Sequence, residues 1–427
     1  MNKKTISIIF ITIMAGCLAA TLYAMLKTHG GALHTFLFID PSDTFMDFFN
    51  PLDDAKLMDP YQRIDIIYPP ICYTFYFLIS WMMPALQKAN AYELRESHLG
   101  MFYFGIYMVI TSLLLIKAVY KLLEGSKYRE TIAILMLISA PFLFLYERAN
   151  IILFALVFLS VFVIYKDDER PWVRELAYLA LGFSFAIKLY PAIFGLFLLK
   201  DKKWFPAVRC AIYGFIFLIV PFAWMGGFDK IPAMVHSLVS GAQNTMNLDF
   251  GTGYKINYAN FIAMVYSLRT GTLAESYFAI GTKISYIVCA ICFVAAVLIK
   301  EDWKVSACLA AIMIGLPGFS FEYTMIFMII PLAQLLKKER FFKIDVIYVI
   351  LFAALFAMLS VKDLDLRVNP VQGMYFISPI IVMESTALFV MPLLITVESF
   401  IRWVAGRKSK KNDAVDSKDD AAEEGQE

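Results

Sequence analysis

Hydrophobic residues in this chain are grouped in long, nearly uncharged blocks that short polar segments separate. Each block has about 15–25 residues, the length that an α-helix needs to cross the hydrocarbon core of a bilayer. Within lipid every backbone amide needs a partner in the chain, so a spanning segment is a helix or a strand of a closed barrel. The blocks 131–144 and 277–299 lack the alternation typical of barrel strands. The pattern therefore predicts an all-α polytopic membrane protein.

The blocks predict about twelve spans, and basic residues orient them. Basic clusters at 3–4, 200–203, 300–304, 337–340 and 407–411 each lie beside a span. Twelve crossings place all of these clusters, and both termini, on the cytoplasmic side. The predicted spans are 7–26, 68–86, 100–122, 131–146, 151–165, 176–199, 207–224, 277–299, 305–316, 321–336, 346–360 and 377–400.

Residues 120–200 fit this topology less well than the rest of the chain. The basic loops 124–129 and 166–174 would face outward, against the charge rule. Pro191 lies within the block 176–199, so two half-helices bent at the proline are an open alternative there. A re-entrant pair is a further alternative for this region.

The polar segments divide the chain into one membrane domain, 1–406, and a tail, 407–427. The tail is rich in lysine, aspartate and glutamate and lacks apolar periodicity, so we expect it to be disordered and cytoplasmic. Three outer segments are longer than turns: 27–67, 226–276 and 361–376. A weakly apolar stretch in the second of these, 258–268, predicts a helix on the membrane surface.

Composition agrees with this picture and narrows the possible partners. Hydrophobic residues make up 60% of the chain and charged residues 17%. A formal net charge of +2 gives no reason to expect a nucleic-acid partner, and the lipid bilayer is the expected surrounding. The four histidines are scattered without metal-ligand spacing, so we expect neither a bound metal nor a cofactor.

The first outer loop carries an unusual number of acids. Seven aspartates and no glutamate lie between Asp40 and Asp65, interleaved with aromatic residues. Asp43 and Asp47 are four residues apart, so on a helix they would share one face. A carboxylate at the edge of the membrane is suitably placed to take a proton from a hydroxyl group. The alternative is an acidic loop that is only solvated.

Polar residues also interrupt later apolar blocks. Tyr68 precedes two prolines at the start of one block, and Arg148 and Asn150 lie between two others. Lys188 lies within a block, where an ionisable residue is costly and usually faces a polar cavity. It is a candidate cation for a lipid phosphate, or it extends to the membrane surface. Glu322, at the start of a span, is expected to pair with Arg148 or Lys188 or to contact substrate.

Together these features resemble glycosyltransferase family 87. The resemblance covers about residues 40–340 and consists of the acidic first loop, Tyr68 with its two prolines, Arg148-x-Asn150, and Lys188-Leu-Tyr-Pro before a basic turn. That family belongs to the GT-C superfamily and includes polyprenyl-phosphate-mannose-dependent mannosyltransferases. Many members have Gly-Gln-x-Asn where this chain has Glu147-Arg-Ala-Asn150, so Asn150 alone carries over and the role of Arg148 stays open.

The resemblance implies a GT-C-like bundle and a metal-independent, inverting hexosyl transfer at the outer membrane face. The donor would be a polyprenyl-phosphate sugar and the acceptor a glycan or glycolipid. The catalytic aspartate of the family maps onto Asp43 or Asp47. The polar residues at and within the apolar blocks are our candidates for substrate binding: Tyr68, Arg148, Asn150, Lys188 and Glu322.

Two other classes remain as alternatives. A transporter or lipid flippase would carry charges on several spans along a path, whereas most acids here lie in one outer loop. A polysaccharide polymerase or ligase would share the lipid-phosphate substrate, but its large loop would typically come late in the chain.

Overall fold

The structure, a computed structural model, describes residues 2–38, 41–63, 68–244, 255–272, 274–318, 320–362, 364–366 and 375–423. In these ranges the chain is predominantly helical, as the apolar blocks predict. The α-helices are α1 (Lys3–Lys27), α2 (Met46–Ala55), α3 (Pro70–Trp81), α4 (Ala91–Glu96), α5 (His98–Leu122), α6 (Arg129–Leu137), α7 (Ala140–Arg148), α8 (Ile152–Tyr165), α9 (Pro171–Ile187), α10 (Leu196–Lys200), α11 (Trp204–Ile219), α12 (Ile231–Asn244), α13 (Tyr258–Thr270), α14 (Glu275–Leu298), α15 (Asp302–Gly315), α16 (Ile329–Leu336), α17 (Lys343–Phe356) and α18 (Pro379–Glu423).

Short elements connect these helices. One antiparallel ribbon pairs β1 (Leu364–Leu366) with β2 (Tyr375–Ile377), within the third predicted outer segment. The 3₁₀ helices of the described residues are Gly31–Thr35, Pro41–Asp43, Pro60–Gln62, Pro84–Leu86, Tyr190–Gly195, Val220–Ala223, Phe228–Lys230 and Glu322–Met328.

Several helices are long and apolar enough to cross a membrane. Among the described residues these are Lys3–Lys27, His98–Leu122, Trp204–Ala223, Glu275–Leu298 and Pro379–Val404. α6 and α7 make a sixth when taken as one span bent by 49°. Pro141, near the start of α7, explains the bend, because a proline lacks the N–H that would continue the preceding helix. The prediction of a helical multi-pass membrane protein is confirmed.

Ion pairs and lysine contacts identify one end of the bundle, which we call the Lys3 end. Lys3 pairs with Glu339 at 2.7 Å, just after α16. Lys338, beside Glu339, lies 3.9 Å from Glu301 in the turn between α14 and α15. Lys200 donates to carbonyls at the end of α14, and Lys203 pairs with Asp167. The loops after α8, α10, α14 and α16 therefore meet at the same end as the start of α1.

The opposite end, which we call the Asp43 end, holds the first loop. Arg95, at the end of α4, donates to the carbonyls of Ser42 at 2.7 Å and Thr44 at 3.2 Å. Lys56 in this loop donates to the carbonyl of Ala89. Residues 87–95 therefore lie at the same end as the loop that precedes α3.

This placement corrects the predicted topology. The prediction that 68–86 crosses the membrane is wrong, because the chain returns to its starting end after α3. The block 176–199 instead holds two elements, α9 and the segment Tyr190–Lys200, which meet at Lys188.

α9 and α11 pack closely because glycines meet at their crossing. A Cβ atom added to Gly182 would lie 2.8 Å from the backbone nitrogen of Gly214. A Cβ atom on Gly214 would lie 2.7 Å from the ring of Phe185. Larger residues at either position would push the two helices apart.

The second outer segment contains the helix that the sequence predicts, now bounded as α13. One of its faces packs into the bundle: Tyr258 is fully buried and donates to the carbonyl of Leu388 in α18 at 3.3 Å. Gly281 of α14 meets the backbone of Ala259. α13 is therefore anchored against α14 and α18.

The last helix extends past the predicted end of the membrane domain. α18 continues through most of the segment 407–427, whose side chains lie outside the described residues. The division into a membrane domain and a disordered tail stays a prediction.

We expect cysteines introduced at Lys88 and Lys127, in a cysteine-free background, to lie on opposite faces of the membrane. Both positions are exposed, Lys88 at the Asp43 end and Lys127 in the loop after α5. That loop lies near α16, because Glu124 is within electrostatic range of Lys337. A membrane-impermeant maleimide applied from outside should label Lys88→Cys and leave Lys127→Cys unlabelled. Labelling of Lys127→Cys without labelling of Lys88→Cys would show instead that residues 68–86 cross the membrane.

Candidate active site

Aromatic packing fixes the first loop against the bundle. Phe48 and Phe49 of α2 are fully buried and contact Phe104 of α5. The ring of Phe48 also lies 4.7 Å from that of Tyr107. These aromatic residues dock into protein rather than lipid, so the first turn of α2, with Asp47, has a defined position.

Asp43 and Asp47 do not share a helix. Asp43 ends the 3₁₀ turn Pro41–Asp43, and Asp47 lies in the first turn of α2. Phe45 between them has a left-handed backbone with φ of 65°, a conformation that costs about 1–2 kcal/mol for a residue with a side chain. Its N–H donates to the carbonyl of Glu147 at 2.8 Å, a contact made only in the folded bundle. The predicted shared helical face is therefore wrong.

Arg148 brings the two aspartates together. It is the last residue of α7, and its guanidinium forms ion pairs with both Asp43 and Asp47. Ala149, with φ of 53°, turns the chain directly after it. A planar guanidinium with five donors suits this double contact, which the compact ammonium of a lysine could not reproduce. The guanidinium of Arg95 lies close by, on the carbonyls of Ser42 and Thr44 that flank Asp43.

Asn150 connects Asp47 to two phenol groups. Its Nδ2 lies 2.7 Å from Asp47 Oδ2, 3.1 Å from the hydroxyl of Tyr68 and 3.3 Å from that of Tyr323. Its Oδ1 accepts the N–H of Ile152 at 2.9 Å, which fixes the orientation of the amide. Because the amide has only two hydrogens for three acceptors, at least one phenol keeps its hydroxyl available for another partner.

Tyr68 lies between the acidic residues and Lys188. Its carbonyl accepts the hydroxyl of Tyr61 at 3.0 Å, which holds the residue at the start of α3. Burial, followed by repulsion from the Asp47 carboxylate, raises the pKa of the Tyr68 phenol, so this group stays protonated at neutral pH. The opposite side of the residue faces Lys188, whose Nζ lies 4.2 Å from the ring centroid.

Lys188 lies at the junction between α9 and the segment that follows. Its backbone is extended, with φ of −141° and ψ of 129°, and its N–H donates to the carbonyl of Ser184 at 3.1 Å. Within the described part of the chain the ammonium forms no ion pair, although the Asp47 carboxylate lies within electrostatic range, and its charge is stabilised by the Tyr68 ring. The side chain therefore points into the site rather than along the bundle surface.

The two aspartates differ in access and in bonding. The Asp43 side chain is 45% exposed and that of Asp47 is 15% exposed. Asp47 uses one oxygen for Arg148 and the other for Asn150, whereas Asp43 contacts Arg148 through Oδ2. Asp43 therefore presents the more accessible carboxylate oxygen.

Glu322 does not join this network directly. It is buried, and its Oε1 has no hydrogen-bond partner. The predicted pairing with Arg148 or Lys188 is not formed. Glu322 instead lies within electrostatic range of Glu147, another acid. Its neighbour Tyr323 instead contacts Asn150.

Tyr323 is the site residue that sequence reasoning missed. It lies beside Glu322, within the short polar stretch that interrupts the apolar blocks near residue 320, and that interruption is the signal that could have drawn attention to it. Its ring also packs against Phe144 of α7, with centroids 5.8 Å apart. This packing fixes the phenol beside Asn150.

The arrangement supplies the groups for a displacement reaction. An accessible carboxylate can accept a proton, and an ammonium without an acidic partner can stabilise an anionic leaving group. The ammonium contacts the ring of Tyr68, and among the described residues it forms no ion pair with a carboxylate.

Comparison with known proteins gives one family. The sequence profile of Glycosyltransferase family 87 matches residues 67–316, more than half of the chain. The matched region includes Tyr68, Arg148, Asn150 and Lys188 and begins after the two aspartates. The search of curated proteins gives no match.

We expect Arg148→Gln to lower the free energy of unfolding by about 3 kcal/mol, because two partly buried carboxylates lose their cation. Adding Asp47→Asn should recover part of this loss. Denaturant titration in detergent micelles measures both effects.

Arg63→Gln is the matched control for this experiment. Arg63 also pairs with two aspartates of the first loop, Asp53 and Asp54, but its side chain is 47% exposed. Its loss should cost less than about 1 kcal/mol. Equal effects of the two substitutions would contradict a special role for Arg148.

Proposed function

The chain belongs to glycosyltransferase family 87 and is therefore a membrane glycosyltransferase, and we propose that it transfers a hexose from a polyprenyl-phosphate donor to a glycan or glycolipid acceptor with inversion. The observation that carries this proposal is one series of contacts that links an acid to a cation: Asp43 to Arg148, Arg148 to Asp47, Asp47 to Asn150, Asn150 to Tyr68, and Tyr68 to Lys188. Asp43 offers an accessible carboxylate oxygen, and Lys188 offers an ammonium without an acidic partner among the described residues.

In the proposed reaction Asp43 acts as the general base. It takes the proton of an acceptor hydroxyl while that oxygen forms a bond to the anomeric carbon of the donor sugar. The bond between that carbon and the phosphate oxygen breaks in the same step, so the configuration inverts. The donor leaves as polyprenyl phosphate, and the proton stays on Asp43 until solvent removes it.

The other residues position these groups. Lys188 stabilises the charge that develops on the leaving phosphate. Arg148 is already bound to two carboxylates, so we assign it to holding Asp43 and Asp47 rather than to the phosphate. Asn150 holds Asp47, and the hydroxyl of Tyr68 or Tyr323 is free to contact sugar or phosphate oxygens.

We place this site on the extracytoplasmic side, with both termini in the cytoplasm. Basic residues concentrate at the Lys3 end, including the loops 124–129 and 166–174 that conflicted with the topology expected from sequence. A path of twelve passes fits the chain. These are α1, α5, α6 with α7, α8, α9, Tyr190–Lys200, α11, α14, α15, Glu322–Leu336, α17 and α18.

Asp43→Asn should lower kcat by about 10²–10⁴-fold, because the amide cannot accept a proton. The KM for the donor should change little, since Asp43 would contact the acceptor. Transfer from a polyprenyl-phosphate sugar is measured in membranes that contain the variant. Asp54→Asn is the matched control, because Asp54 lies on α2 and pairs with Arg63 at 2.6 Å. Near-normal turnover of Asp43→Asn would exclude this residue as the base.

Lys188→Ala should raise the donor KM by about 10–150-fold, the loss of a charge-assisted contact worth about 1.5–3 kcal/mol. Lys188→Arg should restore part of the affinity because it keeps the charge. Lys230→Ala serves as the control, since Lys230 pairs with Asp59 at 3.2 Å near the Asp43 end. Unchanged donor kinetics in Lys188→Ala would show that this lysine does not bind the phosphate.

A further inference from the structure

One arginine of α4 holds the backbone on both sides of Asp43. Nη1 of Arg95 lies 2.7 Å from the carbonyl oxygen of Ser42 and 3.2 Å from that of Thr44. The carbonyl oxygen of Pro41 lies 3.4 Å from the same nitrogen. A charged donor makes stronger hydrogen bonds than a neutral one, so this single group fixes the path of the chain through Asp43.

The helix that carries Arg95 is fixed at its start. α4 has six residues, too few to form a stable helix without support. Oδ1 of Asn90 accepts the backbone N–H groups of Tyr92 and Glu93, each at 3.0 Å, and the carboxylate of Glu93 accepts the N–H of Asn90 at 2.8 Å. This capping box satisfies N–H groups that would otherwise lack a partner at the start of α4.

The end of α4 is fixed to α5. The N–H of Ser97 donates to the carbonyl of Glu93 at 3.0 Å, and its hydroxyl oxygen accepts the N–H of Gly100 at 2.9 Å. Leu94 is fully buried, and a Cβ atom on Gly100 would clash with its carbonyl oxygen. α5 therefore approaches α4 this closely only because residue 100 is a glycine. With both ends of α4 held, the position of Arg95 is set by the bundle.

The turn that bears Asp43 needs support from outside. It is a 3₁₀ turn of three residues, a conformation with poor hydrogen-bond geometry of its own. Arg148 holds the carboxylate of Asp43, and Arg95 holds the backbone behind that carboxylate. A general base acts only within hydrogen-bond reach of the proton, and an error of about 1 Å in position costs about 10²-fold in rate.

We propose that Arg95 is a positioning residue for the transfer reaction. Through the carbonyls that flank Asp43, it sets the place at which the carboxylate meets the acceptor hydroxyl. The proposal rests on the proposed function, since it takes Asp43 as the base. Arg95 acts through Asp43 and binds neither the donor nor the acceptor itself.

Arg95→Met tests the proposal, because it keeps the apolar stem and removes the donors. In purified full-length protein the variant should lower kcat for transfer from a polyprenyl-phosphate sugar by about 10–100-fold. The KM for the donor should stay unchanged, since the contact between Lys188 and Tyr68 is not altered. Arg95→Lys should recover most of the rate, because an ammonium also has three hydrogens to donate to carbonyl groups.

A double substitution distinguishes positioning of the base from a general loss of packing. If Arg95 acts through Asp43, Arg95→Met should lower kcat no further when Asp43 is already replaced by asparagine. Two decreases that multiply would contradict the proposal, because Arg95 would then act independently of this carboxylate.

Arg63→Met is the matched control. Arg63 also belongs to the Asp43 end and binds Asp53 and Asp54, but it does not hold the backbone around Asp43. Its kcat should equal that of the wild type. An equal decrease in Arg63→Met and Arg95→Met would show a general loosening of the first loop and would overturn the assignment.

Asn90→Ala guards against a folding defect in Arg95→Met. It keeps the guanidinium and loosens α4 by removing its cap, so it should lower kcat to a smaller extent and without effect on the donor KM. Wild-type kcat in both Arg95→Met and Asn90→Ala would overturn the role of Arg95. Near-normal turnover of Asp43→Asn would instead overturn the assignment of the base in the proposed function.

Discussion

The double ion pair of Arg148 is the constraint on which the candidate site depends. Asp43 and Asp47 come from the first loop, on a 3₁₀ turn and on α2, and Arg148 ends a helix of the bundle. The double ion pair therefore fixes this loop to α7 through charge, while Phe48 and Phe49 fix it through burial. Arg148 contacts Asp43 through one carboxylate oxygen, so the other oxygen of this half-exposed group stays accessible.

Tyr68 keeps two oppositely charged groups of the candidate site, Lys188 and Asp47, from direct contact. A direct contact between Lys188 and Asp47 would neutralise both, and neither would then act on a substrate. The phenol instead lies between them, with its hydroxyl near Asn150 and its ring below the ammonium. Contact with an aromatic face stabilises a cation by about 0.5–2 kcal/mol and leaves its charge available.

Sequence patterns predicted a helical membrane protein and named most of the residues that meet in the candidate site, because a charged residue within an apolar block is costly and therefore conspicuous. They did not identify the path of the chain. Hydropathy could not distinguish 68–86 from a true crossing, because α3 is apolar and only the contacts of Lys56 and Arg95 show that the chain returns to the first loop. The left-handed backbone of Phe45 is held by a hydrogen bond to the carbonyl of Glu147, a residue far away in the sequence. Local sequence could not show this contact, so the prediction that one helix holds Asp43 and Asp47 was wrong. The only local mark of Tyr323 was the short polar stretch near residue 320, which does not reveal that its phenol reaches Asn150.

Unequal helix lengths set the depth at which the site lies. The hydroxyl of Tyr107 donates to the carbonyl of Ala149, so the middle of α5 is level with the start of α8. α5 begins nine residues earlier, at His98, and therefore rises about 13 Å above Asn150. The outer end of α5 thus extends past the level of the candidate site, and the first loop packs against this extension through the contacts of Phe48 and Phe49 with Phe104. The loop that carries Asp43 and Asp47 therefore leans on a helix that continues beyond it.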